Sequence, residues 1–149
     1  MLWKVFILSL LPISELRGAI PYGFTAGDPF FLVIIIAILG NILVIPLVYF
    51  FMNKFHHLFM NNVSYNKLFN KYIDRTRKKI EHKIGTKAEF TAILLFTAVP
   101  FPLTGAYTAS VISWFFGLNR AKAFCAISLG VLIAAIIVSL ITLGVVSVS

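Results

Sequence analysis

Two stretches of this chain carry no charge and are long enough to cross a bilayer: Phe30 to Met52, 23 residues, and Ala123 to Ser149, 27 residues. Roughly 20 apolar residues in helical form span a hydrocarbon core, so each stretch reads as a membrane helix. Inside lipid every backbone N–H and C=O needs a partner within the protein, and a helix supplies those partners from its own segment. Composition agrees. Of 149 residues 60% are hydrophobic and 12% charged, with mean hydropathy +0.96, whereas soluble domains hold about 45–50% apolar residues. The expected class is an all-α integral membrane protein of the cell membrane, crossing it more than once.

The remaining apolar sequence is interrupted. Val5 to Gly27 is uncharged except for Glu15 and Arg17, which stand in Ser14-Glu15-Leu16-Arg17-Gly18-Ala19-Ile20-Pro21, and it carries the helix breakers Pro12, Gly18, Pro21 and Gly23. Phe90 to Asn119 is likewise uncharged and is broken by Pro100, Pro102 and Gly105. Ionisable groups at membrane depth are costly and mark function. Irregular backbone at that depth survives only against protein or a water-filled cavity. Glu15 and Arg17 therefore point to a transport or ligand site.

Each half of the chain thus contains a broken segment followed by one clean span. Arg17-Gly18-Ala19 matches Thr104-Gly105-Ala106, and Leu39-Gly40 matches Leu129-Gly130, with a register shift of three between the two matches. If each broken segment is a re-entrant hairpin, each half crosses once and the two halves are inverted. The hairpin arms are then residues 2 to 13 with 18 to 27, and 88 to 99 with 104 to 117, and both termini lie outside. The rival is four full spans, which places Lys4 inside and exports Arg120 and Lys122. One membrane domain, 1–149, divides on the hairpin reading into a first repeat (1–53), a basic loop (54–87) and a second repeat (88–149).

The net charge of +8 is concentrated: nine of the thirteen basic residues fall between Lys54 and Lys87. Such a cluster marks a cytoplasmic loop and not a nucleic-acid surface. Within it Leu68, Phe69, Tyr72, Ile73, Ile80 and Ile84 recur at helical spacing among the basic residues, so an amphipathic helix is expected, capped by Ser64 and ended by Gly85. Its role is to lie on an anionic leaflet. His56, His57 and His82 flank it and read as solvated or interfacial, with no metal site. Cys125 stands alone in the last apolar run, so no intrachain disulfide forms. No cofactor is expected, and the N-terminus lacks the pattern of a removable signal peptide. Enzymatic chemistry is not expected either: the chain shows no Ser/His pair, no zinc-ligand spacing and only five carboxylates.

Two hairpins entering from opposite faces bring helix ends and their unsatisfied N–H groups together at the midplane, a setting that attracts anions. In the first tip Glu15 is the candidate proton-coupling group, because burial and a neighbouring cation pull a carboxyl's proton affinity in opposite directions. Arg17 is the candidate contact to a substrate anion, which a guanidinium grips through parallel hydrogen bonds. Gly18 and Pro21 complete that tip. In the second tip Pro100 and Pro102 withhold backbone donors, Gly105 allows close approach and Thr104 offers a hydroxyl. Asp28 is a gate residue or a cap of the first span, and Arg120 a gate residue at the start of the last. Asn41 and Pro46 either line the same cavity or, on the simpler reading that is preferred, bond to and bend the helix against its neighbour, and Trp3, Trp114, Tyr22 and Tyr49 read as interfacial anchors.

Glu15-Leu16-Arg17-Gly18-Ala19-Ile20-Pro21 together with Val99-Pro100-Phe101-Pro102-Leu103-Thr104-Gly105 resembles the small multi-drug export protein family of prokaryotic membrane proteins over nearly the whole chain. More distantly the layout is similar to the DedA superfamily, whose members look like inverted repeats and are implicated in moving lipid-linked phosphates or phospholipids. In that pattern two acids flank a proline turn, where Glu15 and Asp28 stand here, and an arginine follows in the second hairpin, where Thr104 stands instead. The resemblance and the charged broken segment together imply a secondary membrane transporter, proton-coupled, for an amphipathic or lipid-linked anionic small molecule. The alternatives are an uncoupled lipid scramblase or flippase, and a noncatalytic membrane assembly factor acting through the basic loop. Expected partners are membrane lipids, the substrate and a second copy of the chain, with no nucleic acid.

Overall fold

The structure, a computed structural model, describes residues 2–80, 87–100 and 104–148, apart from the side chains of 72, 73 and 76–80. Among these residues it is helical, with α1 (Leu2–Leu10), α2 (Glu15–Thr25), α3 (Phe30–Phe59), α4 (Val63–Ile80), α5 (Lys87–Ala98), α6 (Ala106–Phe115) and α7 (Arg120–Val148). The pattern is two short helices and a long one, an amphipathic helix, then two short helices and a long one. Pro102, the helix end expected at Gly85, and the side chains of Tyr72, Ile73, Ile80 and Ile84 lie outside the described residues.

Only α3 and α7 are both long and apolar enough to cross a membrane among the described helices, with 30 and 29 residues. At 1.5 Å per residue each is about 45 Å long, more than the roughly 30 Å hydrocarbon core. Both present large apolar side chains outward: Phe31, Leu39 and Phe50 on α3, and Ile136 and Leu140 on α7, are more than half exposed. A soluble core helix would bury such residues, and lipid is the solvent that suits them. The inward faces are built from small or branched residues, among them Ala37, Gly40, Ala126, Gly130 and Ala134, which let neighbouring backbones approach.

Within each half the two short helices run antiparallel. Gly23 near the end of α2 backs onto Val5 of α1, while residues 11–14 join the opposite ends. In the second half Ala92, Ile93 and Phe96 of α5 line one apolar pocket with Ala109 and Ile112 of α6. These helices have 9, 11, 12 and 10 residues, so none exceeds about 18 Å.

The same turn closes both pairs. After α2, Ala26, Gly27 and Asp28 donate backbone bonds to Tyr22, Phe24 and Gly23; after α6, Phe116, Gly117 and Leu118 donate to Ile112, Trp114 and Ser113. Gly27 and Gly117 take positive φ, 77° and 65°, the left-handed conformation that glycine adopts at no steric cost. Their separation in sequence equals that of Gly40 and Gly130. Those two glycines are also alike in their packing, since Gly40 faces Ser9 and the Phe6 carbonyl of α1, and Gly130 faces Thr97 and the Leu94 carbonyl of α5. In this register Gly105 corresponds to Glu15, so the Gly18–Gly105 match read from sequence is displaced by three residues.

Other boundaries differ from expectation. The first chain break lies at Leu11–Ser14, around Pro12, and α2 continues through Gly18, Pro21 and Gly23. Pro21 removes one helical N–H, that facing the Arg17 carbonyl, and in the following turn Thr25 Oγ1 donates to the carbonyls of Pro21 and Tyr22 at 3.0 Å. Glu15 and Arg17 are thus in the first turn of a helix. Ser64 lies inside α4, which begins at Val63 with Asn66 bonded back to Asn62. The N-cap of α3 is Pro29, without a side-chain bond, whereas Asn119 Oδ1 caps α7 at the N–H of Ala121, 3.0 Å.

Candidate functional site

The two chain breaks meet. Leu11–Ser14 precedes Glu15, and residues 99–105 follow α5; a network of hydrogen bonds joins them. One terminal nitrogen of Arg17, Nη2, donates to the Thr104 carbonyl, to Thr104 Oγ1 at 3.2 Å and to the Val99 carbonyl at 3.5 Å. Thr104 Oγ1 itself donates to the Val99 carbonyl at 2.8 Å. The Val99 and Thr104 carbonyls are thereby satisfied by a guanidinium from the other half of the chain. Nε and Nη1 of Arg17 have no acceptor among the described residues.

Glu15 is 8% exposed. Its φ of 45° is the left-handed region, the one non-glycine instance among the described residues. Such a conformation costs on the order of 1–3 kcal/mol and persists where surroundings impose it. Here the surroundings are the second break: Glu15 Oε1 accepts from the Tyr107 N–H at 3.5 Å, in the first turn of α6, and Gly105 packs directly against the carboxylate. The helix start supplies partial positive charge to that carboxylate. Tyr107 reaches back across the same junction, its hydroxyl donating to the Leu10 carbonyl at the end of α1. Glu15 and Arg17 are therefore not each other's hydrogen-bond partners, and each is held by the opposite half of the chain.

Two spaces open on either side of this pair. A pocket of about 400 Å³ is lined by Pro12, Ile13, Glu15, Arg17, Thr104 and Tyr107. A small interior cavity of about 10 Å³ has Glu15, Arg17, Asn41, Thr97, Gly105 and Val131 on its walls, about the room that one water needs. Asn41 is 2% exposed and its Oδ1 has no hydrogen-bond partner. Asn41 lies eleven residues into α3 and Val131 eleven into α7, so the cavity sits about 17 Å along each long helix.

The geometry brings together Glu15, Arg17, Thr104 and Gly105. Gly18, Pro21 and Pro100 line neither space, and neither do Asp28 and Arg120. Gly18 instead gives room to the Ser14 side chain. Thr97 and Tyr107 are the site residues that sequence reasoning missed, since nothing in the sequence marked them as neighbours of Glu15. Asn41, weighed as a cavity residue but read as helix packing, lines the interior cavity.

A larger groove, about 630 Å³, runs along α4 between Met60, Asn66, Lys67, Lys71 and Arg75, away from both breaks. No group of three or more His, Cys, Asp or Glu side chains placed to hold a metal occurs among the described residues.

No curated protein and no solved structure matches the chain. A family model described as "Putative small multi-drug export protein" matches residues 15–137, a stretch that opens on Glu15 and contains both long helices' contributions to the cavity. With its two lipid-suited helices, this membrane protein belongs to the small multi-drug export protein family.

Proposed function

We propose that the protein is a proton-coupled secondary carrier that exports an amphipathic or lipid-linked anion. The observation that carries this reading is the placement of Arg17: a single nitrogen ties it to the second break, and among the described residues its other donors meet no acceptor in a pocket it shares with Glu15. A guanidinium in that state grips a phosphate, sulfonate or carboxylate, and the apolar walls at Pro12 and Ile13 suit an attached tail. Glu15, between pocket and interior cavity, is the group that takes and releases the proton.

The transport cycle needs access from both sides, and the reading assigns it to an inverted repeat. Short antiparallel pairs whose breaks meet well inside the length of α3 and α7 are the form that two re-entrant hairpins from opposite faces take. The recurring Gly27 and Gly117 turns and the matched Gly40 and Gly130 contacts support the same reading. The basic α4 then lies on the cytoplasmic leaflet, with the exposed Val63 and Leu68 available to lipid.

The test uses proteoliposomes with sulforhodamine B, an amphipathic anion, and a fluorescent phosphatidic acid as probes. Movement of either probe that follows an imposed pH gradient, is lost in Arg17→Gln and loses its pH dependence in Glu15→Gln is the expected result. Lipid movement indifferent to the gradient would make the protein an uncoupled scramblase, and movement unaffected by either substitution would remove the site from the account.

A further inference from the structure

Helix α6 runs parallel to α3 from the interior cavity toward α4. Ala106 and Asn41 share the cavity wall, Ser113 lies beside Tyr49, and Trp114 Nε1 donates to Asn53 Oδ1 at 2.7 Å. Ser110 stands between Ala106 and Ser113 at spacings of four and three, on the same face of α6. Tyr49, Asn53 and His56 follow one another at four and three on α3. Along this interface several polar atoms lack a full set of partners: Asn41 Oδ1, Ser110 Oγ and His56 Nδ1 are shut from solvent without a hydrogen bond, and the buried Tyr49 hydroxyl has the Ser113 hydroxyl as its neighbour. Ser110 and Ser113 are both 0% exposed. Burying Asn41 Oδ1, Ser110 Oγ and His56 Nδ1 against an apolar seam costs stability that alanine would not, since these atoms lose water and gain no partner. The far end opens under α4, where Tyr65, Phe69 and Trp114 ring His56, with centroids 6.4, 4.6 and 5.4 Å away.

We propose that this row is a hydrated proton path joining Glu15 to the α4 side of the protein, with His56 as its terminal acceptor. The inference rests on Glu15 being the coupling group. A proton leaves the Glu15 carboxyl for a water oriented by Asn41 Oδ1. It passes through the Ser110 and Tyr49 hydroxyls, each taking one proton and releasing its own, and ends on His56 Nδ1. Glu15 is left a carboxylate and His56 an imidazolium. The charged and titratable groups facing the path are Arg17 and Tyr107 at Glu15, Arg120 at Tyr49 and Tyr65 at His56, where Phe69 and Trp114 also pack.

Silver ion, a thiol probe near the size of a water, tests the path in proteoliposomes carrying Cys125→Ser. Ser110→Cys should react at least tenfold faster than Ala126→Cys, which is 0% exposed on α7, as counted by thiols left for a fluorescent maleimide after denaturation. Ser110→Ala and Tyr49→Phe should slow gradient-driven probe movement about tenfold while binding of dodecyl phosphate to the Arg17 pocket stays unchanged. Equal silver rates at 110 and 126 overturn the path, whatever Glu15→Gln does. Slowing in Ser110→Ala alongside full pH dependence in Glu15→Gln defeats the coupling role of Glu15 and with it the path's starting point.

Discussion

Gly105→Ala isolates the contact on which the site depends. Gly105 has φ 162° and ψ −171°, an extended conformation open to any residue, so alanine meets no backbone penalty there. A Cβ at 105 would instead fall on the Glu15 carboxyl group, 2.7 Å from Cδ and from Oε1. The obstacle is the end of a flexible side chain, and it yields by swinging away from the Tyr107 N–H. At 3.5 Å that bond is long, so its loss is taken at about 1 kcal/mol. Residual crowding of a buried carboxylate adds about 1 kcal/mol, the low end for an added methyl, and the poorer N-cap adds about 0.5 kcal/mol. Stiffening the unfolded chain returns about 0.5 kcal/mol. The expected net cost is about 2 kcal/mol, read from reversible SDS unfolding in mixed micelles. In a Glu15→Ala background the obstacle is gone, and Gly105→Ala should be nearly neutral. Distant sites add to within about 0.5 kcal/mol; additivity to that degree would mean that Glu15 does not occupy the space beside Gly105.

Other perturbations separate stability from function. Gly130→Ala meets Thr97 Cβ at 2.6 Å and the Leu94 carbonyl at 2.8 Å; neither can swing aside, so it should cost about 2–3 kcal/mol in the same unfolding assay and act through α5–α7 packing, and a neutral result would contradict that packing. Asn41→Leu removes a buried, unpartnered amide, so the fold should hold or gain about 1 kcal/mol while gradient-driven probe movement falls at least about tenfold, the rate factor of about 1.4 kcal/mol. Loss of both together would make Asn41 structural. Arg17→Lys keeps a point charge but not the fork, and dodecyl phosphate binding measured by calorimetry should weaken about tenfold, or about 1.4 kcal/mol. Trp114→Phe removes the bond to Asn53 of α3 that fixes the indole against Phe69 of α4, and should expose α4 amides to faster hydrogen exchange by about 1 kcal/mol of opening energy; unchanged exchange would mean that the ring stack alone holds α4.

Much of the architecture was legible because membrane helices announce themselves by length and absence of charge. Phe30 to Met52 became the core of α3 and Ala123 to Val148 that of α7, while the ends stayed hidden: Lys54, His56 and His57 continue α3, and Arg120 opens α7. Helix ends that reach the interface tolerate polar residues, so a charge-free window underestimates them. Glycine and proline misled for a related reason. Gly18, Pro21 and Gly23 were read as breaks, yet α2 runs through all three, because Pro21 withholds a single N–H and the two glycines give room to Ser14 and to Val5 and Val33. Glu15, Arg17, Thr104 and Gly105 were found from charge and turn chemistry, which are local. That Glu15 sits on Gly105, and that Tyr107 and Thr97 complete its surroundings, depends on pairing between segments some ninety positions apart, which no local pattern carries.

The central claim is that the two breaks are re-entrant tips entering from opposite faces. Single cysteines on exposed positions, Ala26, Asn62 and Ala121, in a Cys125→Ser background decide it most directly, and they leave Gly27 and Gly117 in the positive φ that a cysteine would strain. Intact cells are treated with a membrane-impermeant maleimide. The account predicts labelling at position 26 alone, with 62 and 121 reached only after permeabilisation; labelling at both 26 and 121 from outside would mean four full spans and would contradict it.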